Sequence, residues 1–219
     1  VLPDTHKQIL TVQYRMRRNI GNLISQVFYE GKIATEIDDK NRMHPIKKFA
    51  GKSIIWVDTS MMDKKDESRI KGGSYCNYAE NNLIKKLLEN FKREGVLSQL
   101  DIGIITGYRG QKDLIRKSVN NSGYDRIAKG IDINTLDAFQ GRENDVIIYS
   151  TVRTKNSIGF QKEKERVNVA FSRAKNLLII CGDMDFFYRF DDPDNKFIEI
   201  IDYICEHEDE CLIIPGGEI

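Results

Sequence analysis

Three clusters in this chain combine arginines with apolar anchors: Gln13-Tyr14-Arg15-Met16-Arg17-Arg18, the segment from Asp137 to Glu143, and Arg166-Val167-Asn168-Val169-Ala170-Phe171-Ser172-Arg173-Ala174-Lys175. Arginine stays ionised at any working pH and offers a planar fork of donors that matches phosphate oxygens. Two such side chains converging on one cleft would hold a nucleotide's phosphates and stabilise the charge of phosphoryl transfer. In the third cluster Val167, Ala170, Phe171 and Ala174 follow helical spacing, which predicts a helix with Arg166 and Arg173 near one face. A lone arginine is more often part of a weak surface ion pair, and Asp137 or Glu143 could equally serve as polar caps at a helix start. Neither carboxylate has a sequence neighbour that would make a paired-carboxylate hydrolase.

Other chemistries lack their residues. There is no G-x-x-x-x-G-K-[ST] loop to cradle β- and γ-phosphates, so the chain by itself is expected not to hydrolyse ATP. No serine stands in G-x-S-x-G, and His6, His44 and His207 are scattered. Cys76, Cys181, Cys205 and Cys211 form no C-x-x-C pair, which reads as reduced intracellular thiols rather than a metal site. The near-zero charge of +1 hides an asymmetry: residues 1–182 carry 32 basic and 21 acidic side chains, and residues 183–219 carry 2 and 12. A basic body of this kind can face a polyanion.

These clusters must be positioned by a scaffold. Apolar, β-branched runs at residues 53–57, 102–106, 131–135, 146–152 and 177–181 predict strands buried on both faces. Leu83, Ile84, Leu87, Leu88 and Phe91 predict a helix that starts at Asn77, with Glu80 three residues on, and stops at Gly95. A second helix is expected after Gly110. The alternation implies a mostly parallel sheet with helices on both faces, and ligands near the carboxyl ends of its strands. Residues 61–73 read as an exposed polar loop. Residues 1–190 are expected to form the motif-bearing domain, and 191–219 an acidic extension opening on the Asp191-Asp192-Pro193-Asp194 turn. With 219 residues, no Met at Val1, no basic-then-apolar leader and no apolar run near membrane length, the expectation is a cytoplasmic fragment of a longer polypeptide with no membrane partner.

Taken in order, Gln13 to Met16, residues 102–111, residues 134–143 and Arg166 to Lys175 resemble the second RecA-like domain of superfamily 1 helicases, in the branch of the nonsense-mediated-decay helicases. The resemblance implies an α/β fold of the P-loop-NTPase type. It also implies a first RecA-like domain in the same polypeptide, ATP with Mg2+ between the two, the metal held mainly by that first domain, and single-stranded DNA or RNA across both. On this match Arg15 and Arg173 would be the arginine fingers that reach the γ-phosphate, Tyr14 would pack on adenine, and Glu143 would accept from the ribose hydroxyl. Thr135, Gln140, Gly141, Tyr108 and Arg109 would touch the strand or couple it to the ATP cleft, and movement would run 5′ to 3′. A nucleic-acid-stimulated switch or clamp without unwinding is the alternative. Two departures from the pattern are Arg17-Arg18 in place of His-Pro, expected to add charge beside the nucleotide motif, and Gly107 in place of proline, expected to loosen the strand end.

Overall fold

The computed structural model describes residues 11–139 and 141–219. Two short parallel strands, β1 (Val12–Gln13) and β2 (Ala34–Thr35), bracket helix α1 (Arg18–Tyr29). Then follow β3 (Ile54–Asp58), a hairpin of β4 (Ser68–Arg69) and β5 (Tyr75–Cys76), α2 (Tyr78–Arg93), β6 (Asp101–Thr106) and α3 (Arg109–Ser122). The chain continues through β7 (Gly130–Thr135), β8 (Asn144–Ser150), α4 (Lys164–Phe171), β9 (Ala174–Gly182), α5 (Met184–Arg189), α6 (Phe197–Glu206) and β10 (Cys211–Pro215).

Six strands form one all-parallel sheet in the order β10-β3-β9-β8-β6-β7. Side chains alternate across a strand, and both faces of this sheet are buried. Ile54, Trp56, Ile147, Tyr149, Leu178 and Ile180 pack with Ile20, Leu23, Phe171 and Phe197 of α1, α4 and α6. Ile55, Val57, Ile102, Ile104, Ile148 and Ile179 pack with Leu83, Leu87, Phe91 and Ile115 of α2 and α3. The α/β expectation of a parallel sheet covered on both sides is met.

Helix α2 begins where its pattern indicated: the Asn77 side chain accepts from the Glu80 amide at 3.1 Å. It ends before Gly95, whose φ of 72° suits a residue without Cβ. Residues 191–219 are integral to the fold, because α6 covers one face of the sheet and β10 is its sixth strand, in register with β3 from Cys211↔Ile54 to Pro215↔Asp58. The expected loop at 61–73 is likewise partly structured: Ser68 pairs with Cys76 and Arg69 with Tyr75, and Glu67 is buried. The helix expected to carry both Arg166 and Arg173 stops at Phe171, because the chain tightens through Ser172 and Arg173 to enter β9 at the buried Ala174. Arg173 therefore lies in the turn and does not share a helix face with Arg166.

The link from β7 to β8 crosses β6, and Gly103 makes that crossing possible. A Cβ at Gly103 would lie 2.6 Å from the Phe139 ring and 2.5 Å from Ile147 Cδ1. With no side chain there, Phe139 seats directly on β6, and the chain passes from Thr135 at the carboxyl edge of the sheet to Asn144 at its amino edge.

Candidate functional site

Gln13 shapes the turn that presents Tyr14 and Arg15. Its side-chain oxygen accepts from the amides of Arg15 and Met16 at 2.9 and 2.8 Å, and its amide donates to the Met16 carbonyl and to Thr35 Oγ1. Gly21 leaves room for this arrangement, since a Cβ there would sit 2.2 Å from Thr35 Oγ1. Arg42 clasps the turn from outside, donating to the Arg15 carbonyl at 2.7 Å. The sequence placed Gln13 in a motif without giving it a role and did not single out Arg42, because a side chain folding back on its own turn has no periodic signature.

The turn directs Arg15 to the amino edge of the sheet. Its Nε meets Glu143 Oε2 at 2.7 Å and its Nη1 donates to the Ser172 carbonyl at 3.2 Å. Arg173 stands beside this pair, with its Nε on the Val169 carbonyl at 2.9 Å. Burial lowers the Arg173 proton affinity first, the neighbouring Arg15 charge lowers it further, and Glu143 partly offsets both. The turns before α1, β8 and β9 thus bring two guanidinium groups and one carboxylate together. They meet at the amino ends of β8 and β9 rather than at the carboxyl ends where ligands were expected. Tyr14 is 62% exposed and its hydroxyl donates to Glu36 at 3.0 Å.

Arg17 corrects one expectation. Its guanidinium is buried and serves the carbonyls of Gly51 and Lys52 and the Glu210 carboxylate at 3.1 Å, on the β3–β10 side, so it adds no free charge beside Arg15. Arg18 opens α1 and donates to the carbonyls of Thr35 and Ile37.

The carboxyl edge is built differently. Thr135 ends β7 beside Thr106 of β6. Tyr108 is buried, its ring 5.7 Å from that of Tyr75 and 5.3 Å from that of Phe160, and Arg109 is exposed at the start of α3. Beneath them Glu80 is buried and accepts from Thr151 Oγ1 at 3.1 Å and from the Val152 amide at 2.9 Å, and Ser150 Oγ also donates to it. Burial pushes the Glu80 carboxyl up to about 8. Val152 holds a φ of 71°, unusual for a β-branched residue. The next residue, Arg153, is buried against Glu67 at 3.1 Å. These ties lie at the carboxyl end of β8. Gly141 lies toward the opposite edge, three residues before β8, so the crossover separates it from Thr135; Gln140 lies outside the described residues.

Among the described residues no group of three or more His, Cys, Asp or Glu side chains is placed to hold a metal ion, and no helix is long and apolar enough to cross a membrane. Cys76, Cys181 and Cys211 are buried and free, and Cys205 is exposed and free.

A family model described as an AAA domain, AAA_12, matches residues 2–185. The chain is 32% identical over 215 residues to the DNA polymerase alpha-associated DNA helicase A of Saccharomyces cerevisiae, covering 91% of this chain and 30% of that protein. It is 34% identical over 182 residues to the ATP-dependent helicase upf1 of Schizosaccharomyces pombe, covering 80% and 19%. It is 34% identical over 183 residues to a regulator of nonsense transcripts 1 homolog of Neurospora crassa, covering 80% and 16%. The chain thus spans less than a third of each of these relatives. A solved C-terminal domain of a possible DNA helicase from a Lactobacillus overlays with a TM-score of 0.46 at 15% identity, covering 78% of this chain and 88% of that one.

Proposed function

We propose, from the premise that this chain belongs to the AAA_12 family of AAA domains, that it is the second motor domain of an ATP-dependent helicase or translocase acting on single-stranded DNA or RNA. The observation that carries this reading is the convergence of Arg15, Glu143 and Arg173, drawn from three distant segments, at one edge of the sheet. A first RecA-like domain of the same polypeptide, with its own P-loop, would close on this edge. Arg15 and Arg173 would then face the γ-phosphate as fingers supplied in cis, stabilising the charge that spreads over the transferred phosphoryl oxygens. Exposed Tyr14 offers a ring face to adenine, and Glu143 offers an anionic acceptor to a ribose hydroxyl. Mg2+ would come with ATP and be held mainly by the first domain.

Residues 136–143 join the nucleotide edge to the edge carrying Thr135, Tyr108 and Arg109. This crossover, which carries Gly141, is the route by which nucleotide-driven closure would reach the strand. Since Tyr108 is buried, its part in strand binding is to position Arg109. The isolated chain would turn over no ATP, and the four free cysteines fit a reducing, cytoplasmic setting.

The test is the ATPase rate of the parent polypeptide with and without single-stranded DNA or RNA, beside Arg173→Ala. Stimulation by one polymer, reduced by about 10³-fold or more in the variant with nucleotide binding retained, is the expected result. Turnover unaffected by the substitution removes Arg173 from the fingers, and no stimulation by either polymer removes the motor reading.

A further inference from the structure

The hairpin β4–β5 stands beside Arg109 and has no part in the nucleotide site. Its turn is closed by Gly73 N donating to the Ile70 carbonyl at 3.0 Å and Ile70 N donating to Ser74 O at 2.9 Å. Gly72 and Gly73 take φ values of 96° and 84°. The hairpin is seated on the start of α3. A Cβ at Gly110 would lie 2.6 Å from Ile70 Cδ1 and 2.9 Å from the Tyr75 carbonyl, and the Gly110 amide donates to Ser74 Oγ at 3.0 Å. Tyr75 is fixed from below by the Arg153 guanidinium, 4.4 Å from its ring centre, and by Tyr108.

Ile70 turns inward to Gly110, and Arg69 and Lys71 on either side of it are exposed. No carboxylate among the described residues forms a salt bridge with either cation, and Arg109 has only Asp113, at 4.0 Å. The hairpin and the start of α3 thus carry three cations that are almost free of partners, beside the segment after β6. Exposed cations without close carboxylate partners, at the edge where a strand would pass, suit a chain of phosphates.

We propose that the β4–β5 hairpin is a phosphate-contacting arm for single-stranded nucleic acid, in which Arg69 and Lys71 extend the cationic surface that Arg109 begins. This rests on the nucleic-acid reading above and adds to it a contact outside the motif residues. The glycine tip lets the sugar–phosphate backbone approach closely. Contacts of this kind give affinity without base preference.

The test is a fluorescence-anisotropy titration of labelled oligo-dT and oligo-U with the parent polypeptide over a range of salt. The double variant Arg69→Ala/Lys71→Ala is expected to bind roughly tenfold more weakly, with a slope of log K against log salt shallower by about 1.4, or 0.7 per lost contact. The charge-preserving Arg69→Lys/Lys71→Arg should bind as the unaltered protein does. Unchanged affinity and slope in the alanine variant overturn the arm alone, as does loss of binding in the charge-preserving one. Polyglutamate displacing the oligonucleotide in an Arg69- and Lys71-dependent manner would point to an acidic protein instead. If the unaltered protein binds neither polymer, the nucleic-acid reading itself fails.

Discussion

Arg15 and Glu143 neutralise one another at 2.7 Å, with side chains 39% and 48% exposed. A pair so open to water is worth at most about 1 kcal/mol, so a nucleotide can separate it at little cost. On the proposed reading the two residues hold each other in place until phosphate draws Arg15 away and ribose takes Glu143. Glu143→Gln should therefore unfold within about 1 kcal/mol of the unaltered protein while binding ATP about tenfold more weakly in the parent polypeptide, as a charged acceptor becomes a neutral one. Urea titration and nucleotide titration check the two halves separately, and wild-type ATP affinity would remove Glu143 from the ribose. The residues of this cluster were legible in the sequence because arginines in ordered motifs carry their chemistry with them. The parts their supports play were not. Gln13 and Arg42 act through backbone atoms of the turn, and the fate of Arg17 depends on Glu210, 193 positions away. Tyr108 is buried because Phe160 and Tyr75 close around it, which nothing in its own segment announces.

Where α2 meets the end of β8, one carboxyl group joins two elements. Glu80 sits in the first turn of α2 and takes its hydrogen bonds from Ser150, Thr151 and Val152. Its value of about 8 lies well above that of an unfolded glutamate, near 4.3. Between those two values only the folded chain holds the proton, so this group's contribution is whole below about pH 4.3. It declines by up to about 1.4 kcal/mol per pH unit as pH rises, and is lost above about pH 8. Urea unfolding from pH 5 to 9 should show the unaltered protein losing stability more steeply than Glu80→Gln, which has no proton to lose. Equal slopes would mean that Glu80 is ionised in the fold. At this scale the sequence read well where a pattern was long: five sheet strands and the start and stop of α2 followed from periodicity and the Asn77 cap. The hairpin β4–β5 escaped because two-residue strands have no period, and the shortening of α4 escaped because its apolar spacing continues smoothly into β9.

For the molecule as a whole, the acidic composition of residues 191–219 drew attention away from Cys211-Leu212-Ile213-Ile214, a short apolar run that completes the sheet. A chain ending at residue 190 would lose Phe197, Ile200, Ile201, Tyr203 and Ile204 from the core and bare the outer edge of β3. At roughly 2 kcal/mol for each large apolar side chain, the loss approaches the whole stability of an ordinary domain. Such a chain is expected to aggregate or to lose its cooperative unfolding, as size-exclusion chromatography and thermal melting would show. A folded, monomeric truncation would return the tail to the status of an appendage. The position of β3 also has a meaning in time. It is the first strand of the main sheet to be synthesised, yet its neighbours are the last two, with Ile54 facing Leu178 on one side and Cys211 on the other. At about 5–20 residues per second, the nascent chain carries Ile54, Ile55, Trp56 and Val57 unpaired for on the order of ten seconds. Through that interval the most apolar strand near the start of the domain depends on whatever shields it as it leaves the ribosome.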